Sequence, residues 1–493
     1  MTPGPDSGHA DLVIRGVRLI DGTAAPAAIG DIAVRDDRIA ALGDLSQWRG
    51  GSEIAAAGMA VAPGFIDVHT HDDRAVLADP GMACKVSQGV TTVVVGNCGV
   101  SLAPLATDRR PPAPMDLVCP RPDGYFAAFA DYLAALDAAP PAVNVLAQVG
   151  HSSLRVGAMD SLERPASASE IAVMRGRLEA SLAAGAIGLS TGLFYPPAAA
   201  APTEEVIALA GALKAAGAIH TTHMRDESDH ILDSLDETFR IGRAADVPVV
   251  ISHHKCAGPA NFGRSTETLA AIARAAKAQP IAMDAYPYVA GSSMLASGRV
   301  MGAARVIVTW SEARPDCAGR DLDDIAAEMG VDRDAAVAAL LPAGGIFFMM
   351  DEDDVRRILA HPLTMIGSDG LPHDVHPHPR LWGCFPRVLG HYVRDVGLFP
   401  LEQAVHKMTG LPASRFGLTD RGVLRPGAVA DLVLFDPATV ADTATWEQPV
   451  SPAAGIALVM VAGRAVWRDG TATGARPGRA IRLQALSPSR QTA

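Results

Sequence analysis

Lysine is almost missing from this chain. Only Lys85, Lys214, Lys255, Lys277 and Lys407 occur in 493 residues, and 42 basic against 54 acidic side chains leave a net charge of −12. A nucleic-acid-binding face usually carries a basic stripe, so this composition argues against a nucleic-acid partner. It leaves room for a small anionic substrate, because a local cationic pocket can oppose the global charge. Aromatic residues are scarce too, at 5%, so the core must be aliphatic and rich in alanine. No run approaches the roughly 18 uncharged apolar residues of a membrane helix, which argues against a membrane partner. The start, Met1-Thr2-Pro3-Gly4-Pro5-Asp6, has neither basic residues nor an apolar stretch, so no secretory signal is expected. The six cysteines, Cys84, Cys98, Cys119, Cys256, Cys317 and Cys384, are scattered. In a chain this long that spacing is not a disulfide framework. The expectation is a soluble cytoplasmic protein with reduced thiols.

What is present is a globular balance, 49% hydrophobic and 19% charged. Residues 1–61 read as short strands: Asp11–Arg15 and Val17–Ile20, then the turn dipeptide Asp21-Gly22, then Ile32–Val34 and Ile39–Leu42. The same texture returns over 416–484, in Asp431–Phe435, Ile456–Val461 and Ala465–Trp467. Both termini are therefore expected to build one small β-sandwich. Between them lie eight apolar β-type runs: Ala62–Val68, Thr91–Val95, Val143–Gln148, Ile187–Ser190, Ile219–Thr222, Val247–Ile251, Ile281–Ala285 and Leu363–Ile366. Helical patterns separate several of them. A capping box at Ser167 and Glu170 opens one that reaches Ala184 before Gly185, and others span Thr203–Ala216 and Ser265–Gln279. Strand and helix alternating eight times predict a (β/α)8 barrel over 62–415, in the α/β class. The gap before the eighth run is too long for a simple loop. An insertion near 290–350, with helices at Asp321–Met329 and Arg333–Leu340, is expected over the barrel mouth. The tail 485–493 is polar and expected to be disordered.

Chemistry-bearing residues recur at the ends of these runs. His69 and His71, in Asp67-Val68-His69-Thr70-His71, are two apart and point to one face of a strand. Cys98 follows the second run, His223 ends the fifth, His253-His254 ends the sixth and Asp369 follows the eighth. Imidazole, thiolate and carboxylate are zinc ligands. Six such residues, His69, His71, Cys98, His223, His253 and Asp369, stand at the tips of five barrel strands, where barrel active sites lie. Only one of His253 and His254 can face inward; the other is structural. His151, after the third run, can orient a substrate or hydrogen-bond a loop. His373, His376 and His378, in a proline-rich loop, read as loop packing.

The stretches Pro63–Asp73, Gly89–Gly99, His223–Glu227, Ser252–Lys255, Ala285–Tyr288, Ser368–Pro372 and Pro377–Gly383 resemble the amidohydrolase superfamily, and within it the N-acyl-D-amino-acid deacylase (D-aminoacylase) family. Many dinuclear relatives, such as hydantoinases and dihydroorotases, bridge their metals with a carboxylated lysine after the fourth strand. Here that stretch is Gly188–Phe194, and no lysine occurs between Lys85 and Lys214. In the deacylases a cysteine after the second strand serves, and Cys98 is in place. Cys384 stands where the resemblance leads one to expect threonine.

The resemblance implies that Cys98, His223 and His253 hold a tight zinc ion. It implies that His69, His71 and Asp369 outline a second, weaker position, with Asp369 as general base in hydrolysis of an N-acyl-D-amino acid. It also places binding of the substrate α-carboxylate near Lys255, Arg380 and Tyr286. Arg299, just beyond Ser292-Ser293-Met294, can meet an acidic substrate side chain or lie solvated. Ser292 joins the substrate-binding candidates. Hydrolysis of cyclic amides or isoaspartyl dipeptides is the alternative reading, and a non-catalytic scaffold a remote one. The sequence does not give the oligomeric state.

Overall fold

In the computed structural model, which describes residues 8–296 and 302–483, the apolar runs of the middle region become short parallel strands. They are Phe65–Asp67, Val90–Val95, Asn144–Ala147 continued by Val149–Gly150, Gly188–Gly192, Ile219–His223, Val249–Ile251, Ile281–Ala285 and Thr364–Ile366. We number these barrel strands 1 to 8. Strands 1, 2 and 3 pair in order, and pairing runs on without a break from strand 3 to strand 8. A parallel bridge between Thr70 and Gly370 closes the ring. Arg299 and the tail 485–493 lie outside the described residues.

Each strand, or for strand 4 the residue that enters it, gives an apolar side chain to one buried cluster: Ile66, Val94, Leu146, Ile187, Ile219, Val250, Ala282 and Met365. Leu411 and Phe416 join the same cluster. The barrel is thus a packed core rather than a pore. Beyond this plug, at the C-terminal ends of the strands, His223 closes strand 5, Cys98 follows strand 2 and Asp369 follows strand 8. The helices wrap this core outside. Ser167 and Glu170 form the expected capping box for Ala168–Ala184, and Gly217, at φ +65°, ends Thr203–Ala216. The helix opening at Ser265 ends at Ala275 rather than Gln279, ahead of Pro280 and strand 7.

The two ends of the chain meet in one nine-stranded sheet. Its first strand, His9–Leu19, pairs over His9–Arg15 with Arg49–Ala55 and over Arg18–Leu19 with Ala60–Pro63. A register shift between Ile14 and Val17 accompanies this fork, and such a bulge bends a strand locally. Ala60–Pro63 then pairs with Leu432–Phe435 from the other end of the chain. Between strands 7 and 8, Ala290–Met294, Arg305–Ser311 and Ala343–Phe348 form a three-stranded antiparallel sheet. Helices Leu322–Met329 and Arg333–Leu340 cover it with a core of their own, built on Val306, Val308, Ile325, Val337 and Phe347. Among the described residues, no helix is long and apolar enough to cross a membrane.

One buried ion pair ties the first strand to the segment after the eighth. Lys85 Nζ donates to Asp67 Oδ2 at 2.8 Å and to Ser368 Oγ at 2.9 Å, and lies 3.3 Å from Asp72 Oδ2. Ser368 N donates to Asp67 Oδ1 at 2.8 Å. Burial would lower the lysine, but the charges of Asp67 and Asp72 hold it above its ordinary value. Breaking a buried pair by removing one partner strands the other charge and costs about 3–5 kcal/mol. Lys85→Met is therefore predicted to lower the urea midpoint of unfolding by that equivalent. An unmoved midpoint would show that the pair does not hold the seam.

Candidate metal centre and active site

Six side chains from five strand ends converge at the barrel mouth. They fall into two groups that share Cys98: His69, His71, Cys98 and Asp369, and Cys98, His223 and His253, the donor atoms of each lying within 4.8 Å of one another. Cys98 Sγ is 3.2 Å from His69 Nε2 and 3.4 Å from His253 Nε2. Asp369 Oδ1 is 3.5 Å from His69 Nε2 and 3.2 Å from His71 Nε2. Tetrahedral zinc, with bonds of about 2.0–2.3 Å, needs donors roughly 3.3–3.7 Å apart, close to these spacings. His223 is buried with no hydrogen-bond partner at either ring nitrogen, and His71 with none at Nδ1. A buried polar atom without a partner is costly, and a bound cation would supply one. The donor set therefore fits a zinc ion.

Backbone strain aims three of these side chains. Cys98 has φ +52°, His253 φ +36° and Asp369 φ +49°. Residues with a Cβ rarely adopt this left-handed region, and holding one there costs about 1–3 kcal/mol. At His253 the strain decides which of two adjacent histidines faces the centre. Regular alternation from Val250 would turn His254 inward. The left-handed turn brings in His253 instead, and His254 Nε2 pairs with Thr268 Oγ1 at 2.9 Å outside the barrel. The Cys98 loop rests on strand 4. Ser190 Oγ accepts from Gly99 N at 3.0 Å and donates to Gly96 O. A Cβ on Gly192 would stand 2.1 Å from Cys98 O, so only glycine lets the loop lie this close. The fourth strand, which carries no lysine, supports the cysteine instead.

Carboxylates behind the ligands orient them. His69 Nδ1 lies 3.3 Å from Asp284 Oδ1, which also accepts from His253 N at 2.9 Å. His253 Nδ1 donates to Glu227 Oε1 at 3.0 Å, and Glu227 Oε2 lies 3.5 Å from His223 Nε2. Such partners fix the ring and its tautomer for metal binding. Burial would raise the Cys98 thiol, but the charges of His69 and His253 beside it hold it well below its ordinary value. Burial would also raise Asp369, yet Arg380, His71 and His69 keep it well below the usual carboxylate range. Both stand as anions. Burial pushes His223 down to about 4, so it stands neutral with a lone pair to give.

The proposed carboxylate-binding side chains are less open than expected. Lys255 Nζ donates to Glu227 Oε1 at 2.7 Å and to the His253 carbonyl at 3.1 Å. The Arg380 guanidinium is fully buried, its Nη1 2.9 Å from Asp369 Oδ2 and its centre 4.4 Å above the Tyr286 ring. The Tyr286 hydroxyl and Arg380 Nε are nevertheless buried without hydrogen-bond partners among the described residues. Ser292 Oγ donates to Gly345 O at 3.2 Å, and its residue borders a small cleft beside Cys98 and Asp369. His151 is fully buried, with Nε2 3.0 Å from Glu205 Oε1, and lines neither cleft at the mouth. His376 and His378 direct Nε2 to the carbonyls of Trp446, at 2.7 Å, and Ala290, at 2.9 Å. Glu227 and Asp284 join the site without standing at the end of an apolar run. Asp284 had a signal, as an acidic residue inside the otherwise apolar strand 7. Glu227 had one in its place four residues after His223.

Glu227→Gln keeps the shape and removes the charge that orients His253. Loss of such a partner typically costs 10–100-fold in metal affinity. Chelator competition is predicted to show zinc held about that much more weakly, with unchanged circular dichroism. Equal affinity in both proteins would mean that Glu227 does not orient a ligand.

With this geometry in view, the comparisons with known proteins converge. A D-aminoacylase of Alcaligenes xylosoxydans xylosoxydans is 58% identical over 476 residues, covering 97% of this chain and 98% of that one. A D-aminoacylase structure, described by its binuclear metal centre with one-metal activation and second-metal attenuation, superposes with a TM-score of 0.94 at 58% identity, over 96% of this chain and 100% of that one. An N-acyl-D-glutamate deacylase from Bordetella bronchiseptica, complexed with zinc and a phosphonate mimic of the tetrahedral intermediate, superposes with a TM-score of 0.93 at 48% identity, over 96% of this chain and 100% of that one. The family model described as "Amidohydrolase family" matches residues 52–467. This chain belongs to the amidohydrolase family, on its D-aminoacylase branch.

Proposed function

We propose that this chain is a zinc-dependent hydrolase that cleaves the amide bond of N-acyl-D-amino acids to a carboxylate and a free D-amino acid. The observation that carries the reading is Cys98, aimed between two histidine groups on a barrel whose fourth strand has no lysine. The likeness to D-aminoacylase and to N-acyl-D-glutamate deacylase supports it. Cys98, His223 and His253 would hold the tight zinc ion. His69, His71 and Asp369 outline a second, weaker position around the shared cysteine. A zinc ion there supplies a Lewis acid that acidifies water and polarises the amide carbonyl.

The residues around it divide the remaining work. Asp369, ionised and fixed between His71 and Arg380, is the general base: it takes a proton from the attacking water. As the C–N bond breaks, Asp369 returns that proton to the departing amine nitrogen. Asp284 and Glu227 keep His69 and His253 in one orientation throughout. Lys255, the Tyr286 hydroxyl and Arg380 Nε would hold the substrate α-carboxylate, since two of them have unpartnered donors and the third is cationic. Barrel residues 62–415 carry this chemistry, and the inserted sheet near 290–350 overlies the mouth. We place the enzyme in the cytoplasm, since all six cysteines are unpaired and thiols persist in a reducing compartment. Its partner is a small molecule.

Two measurements test this. With zinc bound, the protein is predicted to hydrolyse N-acetyl-D-amino acids and leave the L-enantiomers uncut. Asp369→Asn is predicted to keep the tight zinc and lose about 10²–10⁴ in kcat, the usual share of a general base. Turnover of the L-series alone would contradict the substrate class. Near wild-type rates in the Asn variant would contradict the base.

A further inference from the structure

Two clefts reach the centre, and they differ in size and chemistry. The larger has a volume of about 640 Å³; Phe194, Met294 and Met349 line it, with Lys255 and Glu227 at its edge. The smaller has a volume of only about 20 Å³. His71, Cys98 and Asp369 make one wall, and Val100, Leu117 and Val118 the other. Phe194 and Met294 face the larger cleft, whereas their chain neighbours Tyr195 and Ser293 face the smaller. Tyr195 Oη and Ser293 Oγ are 3.2 Å apart, so this pair forms the partition.

We infer that the small cleft is the acyl subsite, and that Leu117 and Val118 restrict the acyl group to formyl or acetyl. The inference rests on the proposed N-acyl-D-amino-acid hydrolysis. The placement of cationic side chains sets the direction of the substrate. Among the described residues the small cleft is lined by no lysine or arginine, whereas Lys255 lines the larger one. Lys255 and Tyr286 follow strands 6 and 7, across the barrel from the connection after strand 2 that supplies Val100, Leu117 and Val118. The carboxylate-bearing half lies toward Lys255, and the uncharged acyl half falls to the opposite wall.

Size sets the limit. A volume near 20 Å³ holds about one water-sized group, hence a hydrogen or a methyl beyond the carbonyl carbon. The wall cannot give easily. Val100 and Val118 belong to the main buried core, each 2% exposed, and Leu117 is also buried. Forcing extra methylenes into a packed core shifts side chains off their rotamers. The amino-acid side chain, by contrast, opens into the roomy apolar cleft.

Acyl chain length and side-chain size are therefore read by different walls. For the wild-type zinc enzyme, kcat/KM is expected to fall at least tenfold from N-acetyl- to N-hexanoyl-D-leucine. Leu117→Ala and Val118→Ala should each raise the hexanoyl-to-acetyl ratio at least tenfold. Neither should alter the ratio of N-acetyl-D-leucine to N-acetyl-D-alanine. Val118→Phe, which fills the cleft, should raise the formyl-to-acetyl ratio. Ratios taken within one preparation do not depend on its folded fraction, and the wild-type series decides even if a variant fails to fold. Equal wild-type rates on acetyl and hexanoyl substrates would overturn the inference. So would variants that change the leucine-to-alanine ratio and leave the acyl ratio alone. Absence of turnover on every N-acyl-D-amino acid, with zinc bound, would instead sink the parent reading.

Discussion

The meeting of the Cys98 thiolate with imidazoles that follow strands 1 and 6 is the contact on which the site is built. Its Sγ stands 3.2 Å from His69 and 3.4 Å from His253 and belongs to both donor groups. A group shared by two metal positions would need negative charge and a short reach, and Cys98 offers both because its own backbone is displaced. The left-handed turn at Cys98, the glycine at Gly192 and the hydroxyl of Ser190 bring the loop after strand 2 over strand 4. At Gly192, strand 4 then has no room for a side chain.

Concentrating charge in a dry mouth is expensive unless each charge is paired. Asp369 lies against Arg380, Glu227 against Lys255, and Asp67 against Lys85. Of the chain's five lysines, Lys85 and Lys255 are committed to these buried pairs. This accounts for the difference between the expected and observed state of Lys255 and Arg380. They were expected to wait for a substrate anion, and both already balance a carboxylate of the centre. The donors left over, the Tyr286 hydroxyl and Arg380 Nε, are what the α-carboxylate would meet.

Much of this site was legible from the chain because chemistry-bearing residues stand where the apolar runs end: His69 and His71 after strand 1, Cys98 after strand 2, His223 at the end of strand 5 and Asp369 after strand 8. The aim of Cys98, Asp369 and His253, and with it the choice between His253 and His254, was not legible, since each turns on a positive φ that alternation does not foresee. Glu227 and Asp284 were hidden because they act through another residue's ring, and spacing along one strand says nothing of contacts between strands. The barrel strands showed in their apolar runs. The fork in the terminal sheet did not, because one strand pairing with two others leaves no mark in its own sequence.

Zinc K-edge X-ray absorption on the protein loaded with one equivalent of zinc tests the central contact most directly. The account predicts one sulfur scatterer at about 2.3 Å together with nitrogen or oxygen scatterers at about 2.0–2.1 Å. The sulfur shell should vanish in Cys98→Ser. A wild-type spectrum with nitrogen and oxygen neighbours alone would remove Cys98 from the metal, and with it the reading of this mouth as a cysteine-centred site.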